Sequence, residues 1–298
     1  MPLAIEGIYP ALLTPFTKDE EVNETALKQL VNRLIVAKVN GIFALGTNGE
    51  FHVLSREEKL NITKMVVEET AGRVPVMVGS GGNSTREVIE LSQAMEKLGV
   101  DALSVITPYF IPPTQEEAEE HYRKVAEAVS IPVVLYNIPS KTGFSLAPET
   151  VGRLAKMPNI VGIKDSSGDF SNIEQYIAHT RGEHFSVIAG TDSLILKTLQ
   201  AGGTGAVAAT ANLLPETVVA IYNSWKAGDY EKAQAAQQAL QPLRDTFGLT
   251  SIPASLKKAV ELSGIPVGPA RAPIQEPTGE VLKQIEAAVQ FYKTNQEG

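Results

Sequence analysis

Lys164 closes a run of apolar and small residues, Ile160-Val161-Gly162-Ile163, that reads as a buried strand. Lysine is among the side chains least often found inside unless it is paired or used. A desolvated amine is nucleophilic, and one facing a carbonyl compound forms a Schiff base. A second reading has the stem running along the core to solvent, or the ammonium pairing with Asp165. Tyr136 follows Val133, Val134 and Leu135, so its phenol stands at the end of another apolar run. There it either shuttles protons or is a core tyrosine with a satisfied hydroxyl. The stretch Gly46-Thr47-Asn48-Gly49-Glu50 offers consecutive backbone N–H groups and the Thr47 hydroxyl to a carboxylate. A Gly-x-x-Gly turn closing a strand is also a common structural device.

Short apolar, β-branched runs closed by Gly, Pro or Asn mark the elements that position these groups. They fall at 7–16, 41–46, 74–81, 102–108, 132–139, 160–167, 186–190 and 205–212, with starts about 20 to 34 residues apart. That spacing suits a strand, a helix and two loops, and is too long for hairpins. The intervening segments read as helices. Leu27, Leu30, Val31, Leu34 and Ile35 share one face of 23–39, the pattern of an amphipathic helix. Capping boxes recur at Ser55/Glu58, Ser84/Glu87 and Thr114/Glu117, where helices should begin. The strands are apolar throughout instead of alternating, as expected when helices cover both faces of a parallel sheet. Eight βα units predict a (β/α)₈ TIM barrel. The rival, a doubly wound open sheet, wants a Gly-rich phosphate loop after its first strand. Here that strand runs into TPFTKDEEV, which has no glycine. The expected division is a catalytic barrel over 1–227 and a C-terminal helical extension over 228–298, with helices at 230–247, 254–263 and 278–294.

A barrel carries its site at the C-terminal ends of its strands, which is where Thr47, Tyr136, Lys164 and the Gly190-Thr191-Asp192 run all fall. Other chemistries find less support. Cysteine is absent, which removes disulfides, thiolate nucleophiles and Cys-type zinc sites. The four histidines lack metal-ligand spacing, and His121 and His184 read as solvated; no metal is expected. No Gly-x-Ser-x-Gly elbow or P-loop occurs. A net charge of −8 with no basic run argues against nucleic acid. No apolar run reaches membrane-spanning length, and the N-terminus shows no export signal, so no membrane partner and a cytoplasmic location are expected.

With these residues in place, the sequence resembles the pyruvate-dependent class I aldolases and lyases related to dihydrodipicolinate synthase and N-acetylneuraminate lyase. The likeness runs through TPF, GTNGEF, TPYF, YNIPSKTG, GIKDSSGD, AGTD, ATAN and GPARAP, and includes the 28-residue interval from Tyr136 to Lys164. It implies catalytic roles for Lys164, which would form the imine with pyruvate, and for Tyr136 and Thr47, which would relay protons. It implies substrate binding at Gly46, Asn48, Lys141, Gly190 and Val207, and no cofactor beyond the covalent lysine. The implied substrates are a 2-oxo acid and an aldehyde, and the implied assembly is a homotetramer. Tyr109 and Phe110 would stand at a subunit interface near the site. Two positions depart from the synthase pattern. Phe110 replaces a second tyrosine that would complete a hydroxyl relay across the interface, and Lys141 replaces an arginine that grips the acceptor's carboxylate. Asn48 and Ser193 are further departures, the latter from the neuraminate lyases. The expected activity is therefore aldol cleavage or condensation of a 2-keto-3-deoxy sugar acid or of 4-hydroxy-2-oxoglutarate. Condensation of pyruvate with aspartate semialdehyde is the alternative.

Overall fold

The computed structural model describes residues 4–296. Its eight strands are β1 Gly7–Pro10, β2 Ile42–Ala44, β3 Val76–Gly79, β4 Ala102–Ile106, β5 Val133–Asn137, β6 Ile160–Asp165, β7 Ser186–Ala189 and β8 Gly205–Ala208. Between them lie α1 Glu24–Val36, α2 Arg56–Thr70, α3 Thr85–Lys97, α4 Gln115–Glu127, the short α5 Pro139–Thr142, α6 Pro148–Leu154, α7 Phe170–His179 and α8 Ile195–Gln200. After β8 come α9 Pro215–Lys226, α10 Tyr230–Gln238, α11 Gln241–Asp245, α12 Ala254–Leu262 and α13 Gly279–Gln296. Every strand pairing is parallel, in the order β1-β8-β7-β6-β5-β4-β3-β2. A parallel bridge between Ala11 and Phe43 joins β1 to β2 and closes the ring. The fold is the TIM barrel that the strand count predicts.

Local sequence explains where the helices start. Ser55 and Thr114 each accept from the N–H three residues on, while Glu58 and Glu117 reach back to the cap N–H. Ser84 makes only the first of these bonds. The segment expected as one helix over 230–247 is broken into α10 and α11. Pro242 stands in the first turn of α11, where its missing N–H costs nothing, but it could not continue an unbroken ladder.

Two apolar cores result. Residues such as Tyr9, Phe43, Met77, Val134, Ile188 and Val207 fill the barrel interior, so the barrel is packed and is no pore. A larger core lies between strands and helices. Among the described residues no helix is long and apolar enough to cross a membrane.

His121 departs from its expected solvated position. It is buried on α4 at 5% exposure, its Nδ1 2.9 Å from Thr85 Oγ1 at the start of α3. Its Nε2 has no hydrogen-bond partner among the described residues. Charging a ring there loses hydration without compensation, and burial pulls the pKa down from 6.5 to about 4. The unfolded chain then binds the proton more readily than the folded one. Stability contributed by the neutral ring is complete above pH 6.5 and is lost as pH falls towards 4, an effect of about 3 kcal/mol. Thermal melts between pH 7 and pH 4 should show a steep decline in Tm that His121→Gln flattens. Parallel curves for the two proteins would contradict this.

Candidate active site

Strand alternation decides which groups meet. In the β5–β6 register Tyr136 pairs with Lys164, and Asn137 with Asp165. Successive side chains point to opposite faces, so the first pair enters the barrel and the second faces the helices. Asp165 there accepts from Asn137 Nδ2 at 2.8 Å, Ser167 Oγ at 2.5 Å and Asn172 Nδ2 at 3.1 Å. The lysine's sequence neighbour is thus engaged elsewhere, and no carboxylate pairs with Lys164 among the described residues. Lys164 is 3% exposed. Its Nζ lies 3.7 Å from the centroid of the Tyr136 ring and 5.0 Å from that of Phe43.

Tyr136 Oη is 3.0 Å from Thr47 Oγ1, a hydrogen bond that links β5 to the loop after β2. Proton transfer between two hydroxyls needs that separation. In the same loop, Gly49 N–H and Glu50 N–H donate back to Gly46 and Thr47. The N–H groups of Thr47 and Asn48 donate to no residue among those described, which leaves two adjacent backbone donors for a carboxylate. Gly190 is required by space. A Cβ there would lie 2.1 Å from Ser166 Oγ and 2.9 Å from Lys164 Cε, so any larger residue would push the lysine aside. Gly46 is similar, with a Cβ falling 2.5 Å from Phe43 Cε1.

Lys164, Tyr136, Thr47 and Asn48 border one cavity of about 240 Å³, as do Lys141, Gly190 and Val207. Gly46 is not among its lining residues and borders a separate small pocket with Phe43 and Tyr136. Tyr109 borders an adjoining cleft together with Thr47 and Lys141. Phe110 borders neither; it is 90% exposed, at a positive φ of 75°. The C-terminal segment roofs the cavity through Arg244, Phe247, Ile252 and Ser255, none of which sequence spacing singles out. Asp192 also faces it, accepting from Ala209 N–H at 3.0 Å and Thr210 N–H at 2.7 Å. Its position directly after Gly190-Thr191 was the available signal.

A buried ionic link ties the Gly46–Glu50 loop to that roof. Glu50 is wholly buried at a left-handed φ of 56°, and its Oε1 lies 2.6 Å from Lys257 Nζ on α12. The contact is an ion pair more than a directed hydrogen bond, for Oε1 accepts none. Oε2 accepts from Arg271 N–H at 2.9 Å, and Lys257 Nζ donates to Pro269 O at 2.8 Å. Burial pulls Lys257 down to about 8 against the opposing pull of Glu50, which leaves the ammonium charged at neutral pH. The Arg271 guanidinium in turn holds the Glu58 carboxyl down at about 2.

A profile of the dihydrodipicolinate synthetase family matches residues 4–291. The chain belongs to that family. The 4-hydroxy-tetrahydrodipicolinate synthase of Methanopyrus kandleri is 42% identical over 289 residues, 95% of this chain and 96% of that one. The synthase of Methanocaldococcus jannaschii is 39% identical over 94% of this chain and 96% of its own. Among solved structures, YagE, a prophage protein of E. coli K12 solved in complex with pyruvate, superposes with a TM-score of 0.94. It is 33% identical and covers 98% of this chain and 99% of its own. Membership of the dihydrodipicolinate synthetase family makes the protein an enzyme of the pyruvate-dependent class I aldolase type, a carbon–carbon lyase. Enzymes of this family work through a lysine Schiff base with pyruvate. Among the described residues no group of three or more histidines and carboxylates is placed to hold a metal ion.

Proposed function

We propose that the protein is a 4-hydroxy-tetrahydrodipicolinate synthase that condenses pyruvate with aspartate semialdehyde through an imine at Lys164. The observation that carries the chemistry is the buried Lys164 lying over the ring of Tyr136, whose hydroxyl is hydrogen-bonded to Thr47. The choice of acceptor is supported by relatives that bear the synthase name and match over nearly their whole length.

Lys164 Nζ attacks C2 of pyruvate, and the carbonyl oxygen leaves as water when the imine forms. Tyr136 supplies and removes the protons of that exchange, with Thr47 as its hydrogen-bond partner. Loss of a C3 proton gives an enamine. Its electron pair forms the new bond to the aldehyde carbon, and the aldehyde oxygen takes a proton. The amino group of the semialdehyde then attacks the imine carbon, and Lys164 leaves as the free amine as the ring closes. The free N–H groups of Thr47 and Asn48 hold the pyruvate carboxylate throughout. Exposed Phe110 packs against a second subunit, in keeping with a homotetramer in the cytoplasm.

The second reading, cleavage of a 2-keto-3-deoxy sugar acid or 4-hydroxy-2-oxoglutarate, is favoured by Phe110 and Lys141. Phenylalanine cannot extend the hydroxyl relay, and lysine lacks arginine's bidentate fork. Steady-state rates decide between them. Aspartate semialdehyde with pyruvate is expected to turn over faster than 2-keto-3-deoxygluconate is cleaved, and the reverse order would install the second reading.

A further inference from the structure

The charge around the cavity is unbalanced. Its charged lining consists of Lys141, Lys164, Arg244 and Asp192. Asp192 is already occupied, since each of its carboxylate oxygens accepts a backbone N–H. Pyruvate brings one negative charge. Imine formation leaves the positive charge of Lys164 in place as an iminium. A carboxylate on the second substrate would meet a surplus of cationic side chains in the lining.

Arg244 is placed to meet it. It stands on α11, outside the strands, and reaches the cavity from the roof. Its Nη1 donates to Gln241 Oε1 at 2.9 Å, which fixes one edge of the guanidinium. Nε and Nη2 donate to nothing among the described residues, and no carboxylate there lies within ion-pair range of it. A half-buried arginine with an unused planar edge fits a carboxylate by two parallel hydrogen bonds, a geometry lysine cannot offer. Lys141 borders the same cavity from α5 and is exposed. It supplies attraction without that geometry.

We infer that Arg244 sets acceptor specificity by binding a carboxylate carried by the aldehyde, with Lys141 as an outer point charge. The inference rests on the Schiff-base reading of Lys164, but not on aspartate semialdehyde being the acceptor. Arg244→Gln and Arg244→Lys separate the two questions when assayed with pyruvate plus three aldehydes: aspartate semialdehyde, glyoxylate and uncharged propionaldehyde. The readout is kcat/KM for each carboxylate-bearing aldehyde relative to propionaldehyde. In Arg244→Gln that ratio should fall roughly 10- to 100-fold, the scale of a charged hydrogen bond. Arg244→Lys should recover part of it and serves alone if the glutamine variant does not fold. Borohydride reduction with pyruvate should still trap an adduct on Lys164 in both variants. A wild type that uses glyoxylate but not aspartate semialdehyde would end the synthase reading and leave Arg244 tested by glyoxylate. An unchanged ratio, or a wild type that prefers the uncharged aldehyde, would overturn the inference.

Discussion

Lys164→Ala is expected to lose turnover by roughly 10⁴-fold or more, the scale seen when a covalent nucleophile is removed. The same substitution should leave the fold standing. Lys164 is 3% exposed and ion-paired to no carboxylate among the described residues. Removing it therefore strands no partner charge. The aromatic faces of Tyr136 and Phe43 remain packed edge to face at 6.5 Å. Two measurements check both halves. Mass spectrometry after pyruvate and borohydride should show an adduct on the wild type and none on the variant, and the melting temperatures should agree within a few degrees. Residual turnover near the wild-type rate would remove Lys164 from the mechanism.

The second large effect lies outside the cavity, at Lys257. Lys257→Met leaves the Glu50 carboxylate buried without its counter-ion. Breaking a buried pair from one side costs about 3–5 kcal/mol, because the surviving charge stays desolvated. For a chain of this length that corresponds to a fall in Tm on the order of 10 °C. The damage should reach function as well. Glu50 ends the loop whose Thr47 and Asn48 N–H groups border the cavity, and its own φ of 56° is a conformation that the ionic link helps to hold. KM for pyruvate is therefore expected to rise more than kcat falls. Combining Lys257→Met with Glu50→Gln should recover more than half of the lost Tm, since neither charge is then stranded. A single variant that melts within a degree of wild type would show that the pair contributes nothing.

The two effects differ in how legible they are. Lys164 and Tyr136 can be read from the chain because a parallel barrel puts strand ends at one rim, and strand ends are marked by apolar runs and turn residues. The capping serines and threonines locate the helix starts for the same reason: each signal spans a few neighbouring residues. Lys257 carries no such mark. It sits in an ordinary amphipathic stretch, and its partner Glu50 lies 207 residues earlier. His121 shows the converse error. Its neighbours Glu119, Glu120 and Arg123 are charged and read as a solvated face. The α3 packing against α4 nonetheless buries that position.

By itself, then, the amino-acid order determined eight βα units, the strand-end positions of Lys164, Tyr136 and Thr47, and through its motifs the resemblance to the pyruvate aldolases. These follow from short-range periodicity and turn chemistry, which are written locally. The tertiary structure alone decided that Tyr136 reaches Thr47, that Asp165 turns away from the lysine, that Gly190 clears space for it, and that Arg244 roofs the cavity. Those outcomes depend on strand register, on which face each side chain takes, and on where a distant helix packs. No run of neighbouring residues encodes them, because each is set by closure of the whole barrel.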